Sequence, residues 1–273
     1  MSGKWSDLGV RSLSAAILIP AVLLDIWQGG IWFEIFMAFL GLLMAHEWTN
    51  IVHERSSSQF ALHAAAVLCA AFLPGEMGTL TTLAIVLAIT TVGIVANVMR
   101  ERDKTVFAFV GIPYVALPVL ALVLLRKHEM WGVHAIMWLM LVVWATDSFA
   151  YFAGRIIGGP KLAPQLSPKK TWAGLLGGMA GAAVVSTGYA LYYLPNWVAL
   201  ALVAAALAVV AQLGDIFESA LKRRYGVKDS GTLIPGHGGV LDRVDGLVTV
   251  GVVAAIIGFA RHSNSLAEGL LLW

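Results

Sequence analysis

Residues 197–221 read WVALALVAAALAVVAQLGDIFESAL, and the first 18 of them carry no ionisable side chain. That is close to the length, about 20 residues, that a helix needs to cross a hydrocarbon core. A lipid-facing strand cannot satisfy its own backbone groups, so the run is predicted to be a transmembrane helix. On either side, eight further apolar stretches fall near 10–27, 31–51, 59–75, 79–99, 105–125, 132–154, 172–194 and 245–261. The expected fold is therefore all-α, a polytopic integral membrane protein of about nine transmembrane helices. Of the 273 residues, 59% are hydrophobic and 12% charged, against about 25% charged in soluble domains, which excludes a water-soluble fold. A net charge of +2 gives no field for nucleic acid. The single cysteine, Cys69, excludes an internal disulfide and cysteine-rich zinc sites. Lys4 and Arg11 precede an apolar run in the first stretch as in a secretory leader, but Trp27-Gln28-Gly29-Gly30 offers no small-residue cleavage site, so that stretch is read as a span.

Short basic loops stay on the cytoplasmic side. If nine spans alternate from a cytoplasmic N-terminus, one side collects 15 of the 18 Lys and Arg, and the other keeps Arg126, Lys127 and Arg261. That bias predicts an external C-terminus. Spans 3 and 5 fit least well, because span 3 is short and contains His63 while span 5 carries Pro113 and Pro118.

Ionisable groups inside a bilayer are costly and mark function or a specific partner. Span 6 carries Asp147 in Trp144-Ala145-Thr146-Asp147-Ser148-Phe149-Ala150-Tyr151, followed by Gly154 and Arg155. Span 8 carries Asp215 and Glu218. At about 1.5 Å per residue, Asp215 lies roughly 27 Å along its helix from Trp197, and Asp147 roughly 24 Å from Trp131. Both then arrive at the cytoplasmic edge. Asp215, Glu218 and Ser219 stand at i, i+3 and i+4, on one helical face. A structural ion pair with Arg223 or Arg243 is the competing account of Asp215 and Glu218.

The segment from Ser219 to Gly246 has the composition of a phosphate site. Gly236, Gly238 and Gly239 let backbone amides approach an anion, and Lys222, Arg223, Lys228 and Arg243 supply positive charge. Asp242 and Asp245 oppose that charge. Carboxylates among phosphate-binding cations make sense if a hard divalent cation, such as magnesium, bridges them to the substrate. A second loop holds Ser167-Pro168-Lys169-Lys170-Thr171-Trp172 on the same side. There Ser167 is expected to cap the span 7 helix, Lys169 and Lys170 to meet phosphate, and Trp172 to anchor at the interface.

Other signatures break off. His46-Glu47 begins like a zinc-peptidase helix, but Asn50 stands where the second His is required. No Gly-x-Ser-x-Gly turn or Walker A loop occurs. Gly174 with Gly178, and Gly177 with Gly181, form two small-xxx-small patterns, which predict close helix packing within the chain or across a homodimer.

The stretch Ser219 to Asp245 closely resembles the signature of the phosphatidate cytidylyltransferase (CDP-diacylglycerol synthase) family: Ser-x-x-Lys-Arg, four residues, Lys-Asp-x-Gly, then Pro-Gly-His-Gly-Gly-x-x-Asp-Arg-x-Asp. Residues 167–172 are similar to a second family motif, and Asp147, Tyr151 and Gly154 to a third. One departure is Ala173, where many relatives carry an acidic or amide side chain. The resemblance spans about 140–250; the first half agrees only in hydropathy. It implies attack by the phosphate of phosphatidate on the α-phosphorus of CTP, giving CDP-diacylglycerol and pyrophosphate with magnesium required, one ion or two. By the same resemblance Asp215 and Asp242 are the leading metal ligands, followed by Asp147, Glu218 and Asp245. Substrate binding falls to Ser167, Lys169, Lys170, Thr171, Lys222, Arg223, Lys228, Gly236, His237, Gly238, Gly239 and Arg243, with Lys170 and Arg243 joining Asp215 and Asp242 in catalysis. Residues 1–130 would then be an N-terminal set of about five spans. Residues 131–273 would be the catalytic part, with cytoplasmic loops 155–171 and 222–244, at the inner or cell membrane. The rivals are another CTP-dependent lipid enzyme, of polyprenol kinase or CDP-archaeol synthase type, and a secondary transporter. A transporter would place its charges nearer mid-membrane between repeated halves, and no internal repeat is present.

Overall fold

A computed structural model of the chain describes residue 16 and residues 19–100, 105–233, 238–262 and 264–273. Gly236, His237 and most of residues 10–18 of the first predicted span lie outside the described residues. Among the described residues, eight helices are long and apolar enough to cross a membrane: α2 (Gly30–Val52), α3 (Ser57–Glu76), α4 (Thr79–Met99), α5 (Val106–Arg126), α6 (Trp131–Ile156), α7 (Trp172–Tyr193), α8 (Trp197–Arg224) and α9 (Leu241–Arg261). From the first predicted span the structure describes a shorter apolar helix, α1 (Ile19–Gln28). The two spans that fitted least well are both helices. Pro113 and Pro118 sit inside α5 without ending it. His63 is buried in α3, where its Nδ1–H donates to the Gln59 carbonyl one turn earlier at 2.8 Å.

The chain divides into two compact units, residues 1–123 with 224–244, and residues 124–223 with 245–273. In the first, α2 packs on α3 and α3 on α4. Gly41 permits a close approach: a Cβ there would meet Val67 of α3 at 2.6 Å and Val119 of α5 at 2.8 Å.

In the second unit α6 packs along α7, and small residues make this possible. A Cβ on Gly178 would lie 3.0 Å from the Thr146 carbonyl oxygen, one on Gly174 3.0 Å from that of Ala150, and one on Gly177 would collide with Ala153. Both small-xxx-small patterns therefore serve a helix contact within the chain. Three helices are joined by a hydrogen-bond relay: Trp138 on α6 donates to Ser186 on α7 at 2.9 Å, and Ser186 donates to the Leu200 carbonyl on α8 at 3.1 Å. A short α10 (Leu266–Leu271) packs on α6.

Two expectations need correction. The predicted loop 155–171 contains an antiparallel hairpin, β1 (Lys161–Ala163) and β2 (Ser167–Thr171), with Lys161 opposite Thr171 and Ala163 opposite Ser167. It follows Gly158 (φ 68°) and Gly159 (φ 90°), left-handed positions that glycine adopts without steric cost and that turn the chain out of α6. Ser167 consequently lies in a strand, and the residue that caps α7 is Thr171, whose Oγ1 accepts from the Gly174 amide at 3.0 Å. The predicted loop 222–244 is also shorter than expected. Lys222 and Arg223 extend α8, while Asp242 and Arg243 lie in the first turn of α9. Charges end an apolar run, but they do not end the backbone hydrogen-bond ladder.

Candidate active site

In the second unit, α8 and α9 bring three carboxylates together. Asp215, Glu218 and Asp245 each offer an oxygen within 4.8 Å of the other two, with Glu218 buried and the aspartates half-buried. Gly214 is the reason α9 can come so near: a Cβ there would sit 2.7 Å from the Asp245 carbonyl oxygen and collide with Thr249. The helical spacing read from the sequence holds, since Ser219 Oγ donates to Asp215 Oδ1 at 3.4 Å. Two ammonium groups answer the carboxylates. Lys170 Nζ lies 2.6 Å from Asp215 Oδ2, and Lys222 Nζ 2.9 Å from Glu218 Oε2. Carboxylates gathered this closely need counter-charges or dense hydrogen bonding. Three hard oxygen donors within reach of one another suit a magnesium ion.

Next to this cluster is a cavity of about 500 Å³. Its walls include Asp147 and Arg155 from α6, Ser167, Lys169, Lys170 and Thr171 from β2, and Asp215 from α8. Strand alternation separates the two lysines. Lys170 turns inward, donating to the Gln212 carbonyl at 3.2 Å as well as pairing with Asp215, and Lys169 remains exposed. Thr171 is buried and engaged in capping α7. The wall also holds Arg155, which was given no role from the sequence, and Tyr151, read there only as part of a family motif; Arg155 Nη1 donates to the Tyr151 hydroxyl at 2.6 Å. Their i, i+4 spacing on one helix was the available signal.

In the first unit, the segment between α8 and α9 is folded around two carboxylates. Asp242 Oδ2 accepts from the Ser230 amide (2.8 Å), the Ser230 hydroxyl (2.9 Å) and the Gly239 amide (3.0 Å). Glu47, on α2, was passed over with the failed zinc-peptidase motif. Its Oε1 accepts from the Val240 amide (2.8 Å), and its Oε2 from the Leu241 amide (2.9 Å) and the Ser230 hydroxyl (3.1 Å). Gly238 takes a left-handed φ of 85°. Arg223, Lys228 and Arg243 are exposed, and the amide of Gly239, expected to face a bound anion, faces Asp242.

The cytidylyltransferase family profile matches residues 9–260. A protein named phosphatidate cytidylyltransferase from Brucella abortus is 39% identical over 256 residues, covering 93% of this chain and 94% of that protein. One of the same name from Bacillus subtilis is 40% identical over 169 residues, 61% of this chain and 62% of its own. Another, from Rickettsia prowazekii, is 39% identical over 150 residues, 52% of this chain and 65% of its own.

Proposed function

This chain belongs to the cytidylyltransferase family, and from that premise we propose that it transfers the cytidylyl group of CTP to phosphatidate, forming CDP-diacylglycerol and pyrophosphate for phospholipid synthesis. The observation that carries the reading is the cavity wall in which Lys170 pairs with Asp215 beside Asp147, Arg155 and Lys169. Such a wall presents both phosphate-binding cations and metal-binding carboxylates at the end of apolar helices, where a lipid anion and a soluble nucleotide can meet.

Phosphoryl-type transfer asks chiefly for positioning and charge neutralisation. Lys170, fixed by Asp215 and the Gln212 carbonyl, is placed to neutralise phosphate oxygen. Lys169 and Arg155 add charge at the same cavity, and Tyr151 restrains the Arg155 guanidinium. Lys222, Arg223, Lys228 and Arg243 are assigned to the triphosphate. No general base is required, because the attacking lipid phosphate is already anionic near neutral pH. Asp215, Glu218 and Asp245 would hold magnesium, with Asp242 and Asp147 as further candidate ligands. When bound, that ion would neutralise the triphosphate and polarise the phosphorus under attack. We place the site at the cytoplasmic face of the cell membrane, with the N-terminus on that side, because 15 of 18 basic residues fall there in a nine-span topology.

Purified protein given CTP, magnesium and a panel of lipid phosphates and lipid alcohols tests the reading. Pyrophosphate should appear only with CTP and phosphatidate together, and should stop with chelator. Transfer of the γ-phosphate to a lipid alcohol would overturn it in favour of a kinase.

A further inference from the structure

Glu47 is 1% exposed, and a carboxylate so deep is tolerated only when hydrogen-bonded or paired. Its partners, from Ser230 and from Val240 and Leu241 at the start of α9, are one hydroxyl and two backbone amides. The amides of Val240 and Leu241 point at its two oxygens, which is where a helix start has unsatisfied donors and a positive dipole end. The local sequence has nothing to fill that role, since neither Gly239 nor Val240 has a side-chain oxygen. α2 supplies the cap instead. The chain is shaped to admit it: a Cβ on Gly231 or on Gly239 would approach Glu47 Oε1 to 2.6 or 2.8 Å. The Ser230 hydroxyl lies 3.1 Å from Glu47 Oε2 and 2.9 Å from Asp242 Oδ2. A hydroxyl has one proton, so the two carboxylates share a single donor and their orientations are linked.

We infer that Glu47 is a positioning residue for the nucleotide: a carboxylate cap on α9, delivered from α2, that holds residues 230–231 against 238–242 and, through Ser230, sets the orientation of Asp242. The inference rests on the reading above that Lys222, Arg223, Lys228 and Arg243 take the CTP phosphates. Residues 230–231 and 238–242, held in this way, meet CTP without first being ordered, so the cost of losing the cap falls on CTP binding rather than on phosphatidate.

Steady-state kinetics of Glu47→Gln and Ser230→Ala in detergent, each checked for a monodisperse, folded protein, test this. Gln keeps the length and one acceptor but turns an amide NH2 toward donors. The expected result is a KM for CTP raised about tenfold in Glu47→Gln, equivalent to about 1.4 kcal/mol, and about threefold in Ser230→Ala. The KM for phosphatidate should stay within twofold, and the fall in kcat, transmitted through Asp242, should be smaller than the rise in KM for CTP and far short of the hundredfold loss expected of Asp242→Asn. The double variant should fall short of the product of the single effects, as expected of one shared network. A fall in kcat with KM for CTP unchanged, or equal rises in both KM values, would overturn the inference and leave Glu47 a structural group. If Glu47→Gln does not fold, Ser230→Ala decides by the same criteria. Wild-type protein that makes no CDP-diacylglycerol would sink the functional reading instead. Equilibrium titration of the same proteins with CTP then separates the two, and equal affinities, or no binding at all, would overturn the role of Glu47.

Discussion

Asp215 is bonded by Lys170 at 2.6 Å, and Asp242 by two amides and a hydroxyl, so the same substitution probes them differently. Asn at either position keeps one oxygen and removes the charge. At 242 that oxygen can still accept from Ser230 and Gly239, which preserves the local fold. If these charges hold a cation against the triphosphate, Asp215→Asn and Asp242→Asn should each lose several kcal/mol of transition-state stabilisation, at least roughly a hundredfold in kcat, with melting in detergent little changed. Purely structural ion pairs predict the opposite order, stability failing before turnover. Asp147, Asp215, Glu218 and Lys170 were legible in the sequence because a charge inside or beside an apolar run is conspicuous. Glu47 was equally conspicuous but uninterpretable. Its partners are mainly backbone amides, which every residue but proline has, and they lie up to 194 positions away.

Elements were legible to different degrees for the same kind of reason. Helices α2 to α9 announce themselves by hydropathy over about 20 residues, and even two prolines did not hide α5. The hairpin of β1 and β2 did not, being three and five residues long, too short for an alternation to stand out from a polar loop. Its consequence is measurable at the start of α7, where Thr171 rather than Ser167 is the cap. Thr171→Ala should cost about 1 kcal/mol of stability, Thr171→Ser should restore it, and Ser167→Ala should leave it unchanged. Chemical denaturation of the detergent-solubilised protein, read by tryptophan fluorescence, separates the three.

For the whole molecule, the topology proposed from the basic residues is tested by cysteine accessibility in a Cys69→Ser background. Single cysteines at Lys161 and Lys228 should react with a membrane-impermeant reagent only after the cytoplasmic side is opened, and one at Ser263 should react from outside. Cytoplasmic labelling at position 263 would contradict the nine-span arrangement. The first compact unit is discontinuous in sequence, made of residues 1–123 and 224–244, and Glu47 helps tie its late segment to its early one, alongside Thr105 and Phe107, which meet Tyr225. That gives synthesis an order. Ser230 follows Glu47 by 183 residues, which at roughly 5–20 residues per second is about 10–40 s of translation. Throughout that interval the nascent chain holds an acidic group within α2 whose hydrogen-bond donors from 230–241 have not yet been made. A ribosome stalled before residue 230 would leave a chain that cannot complete this unit, so its early helices wait on a late stretch of translation before they are sealed.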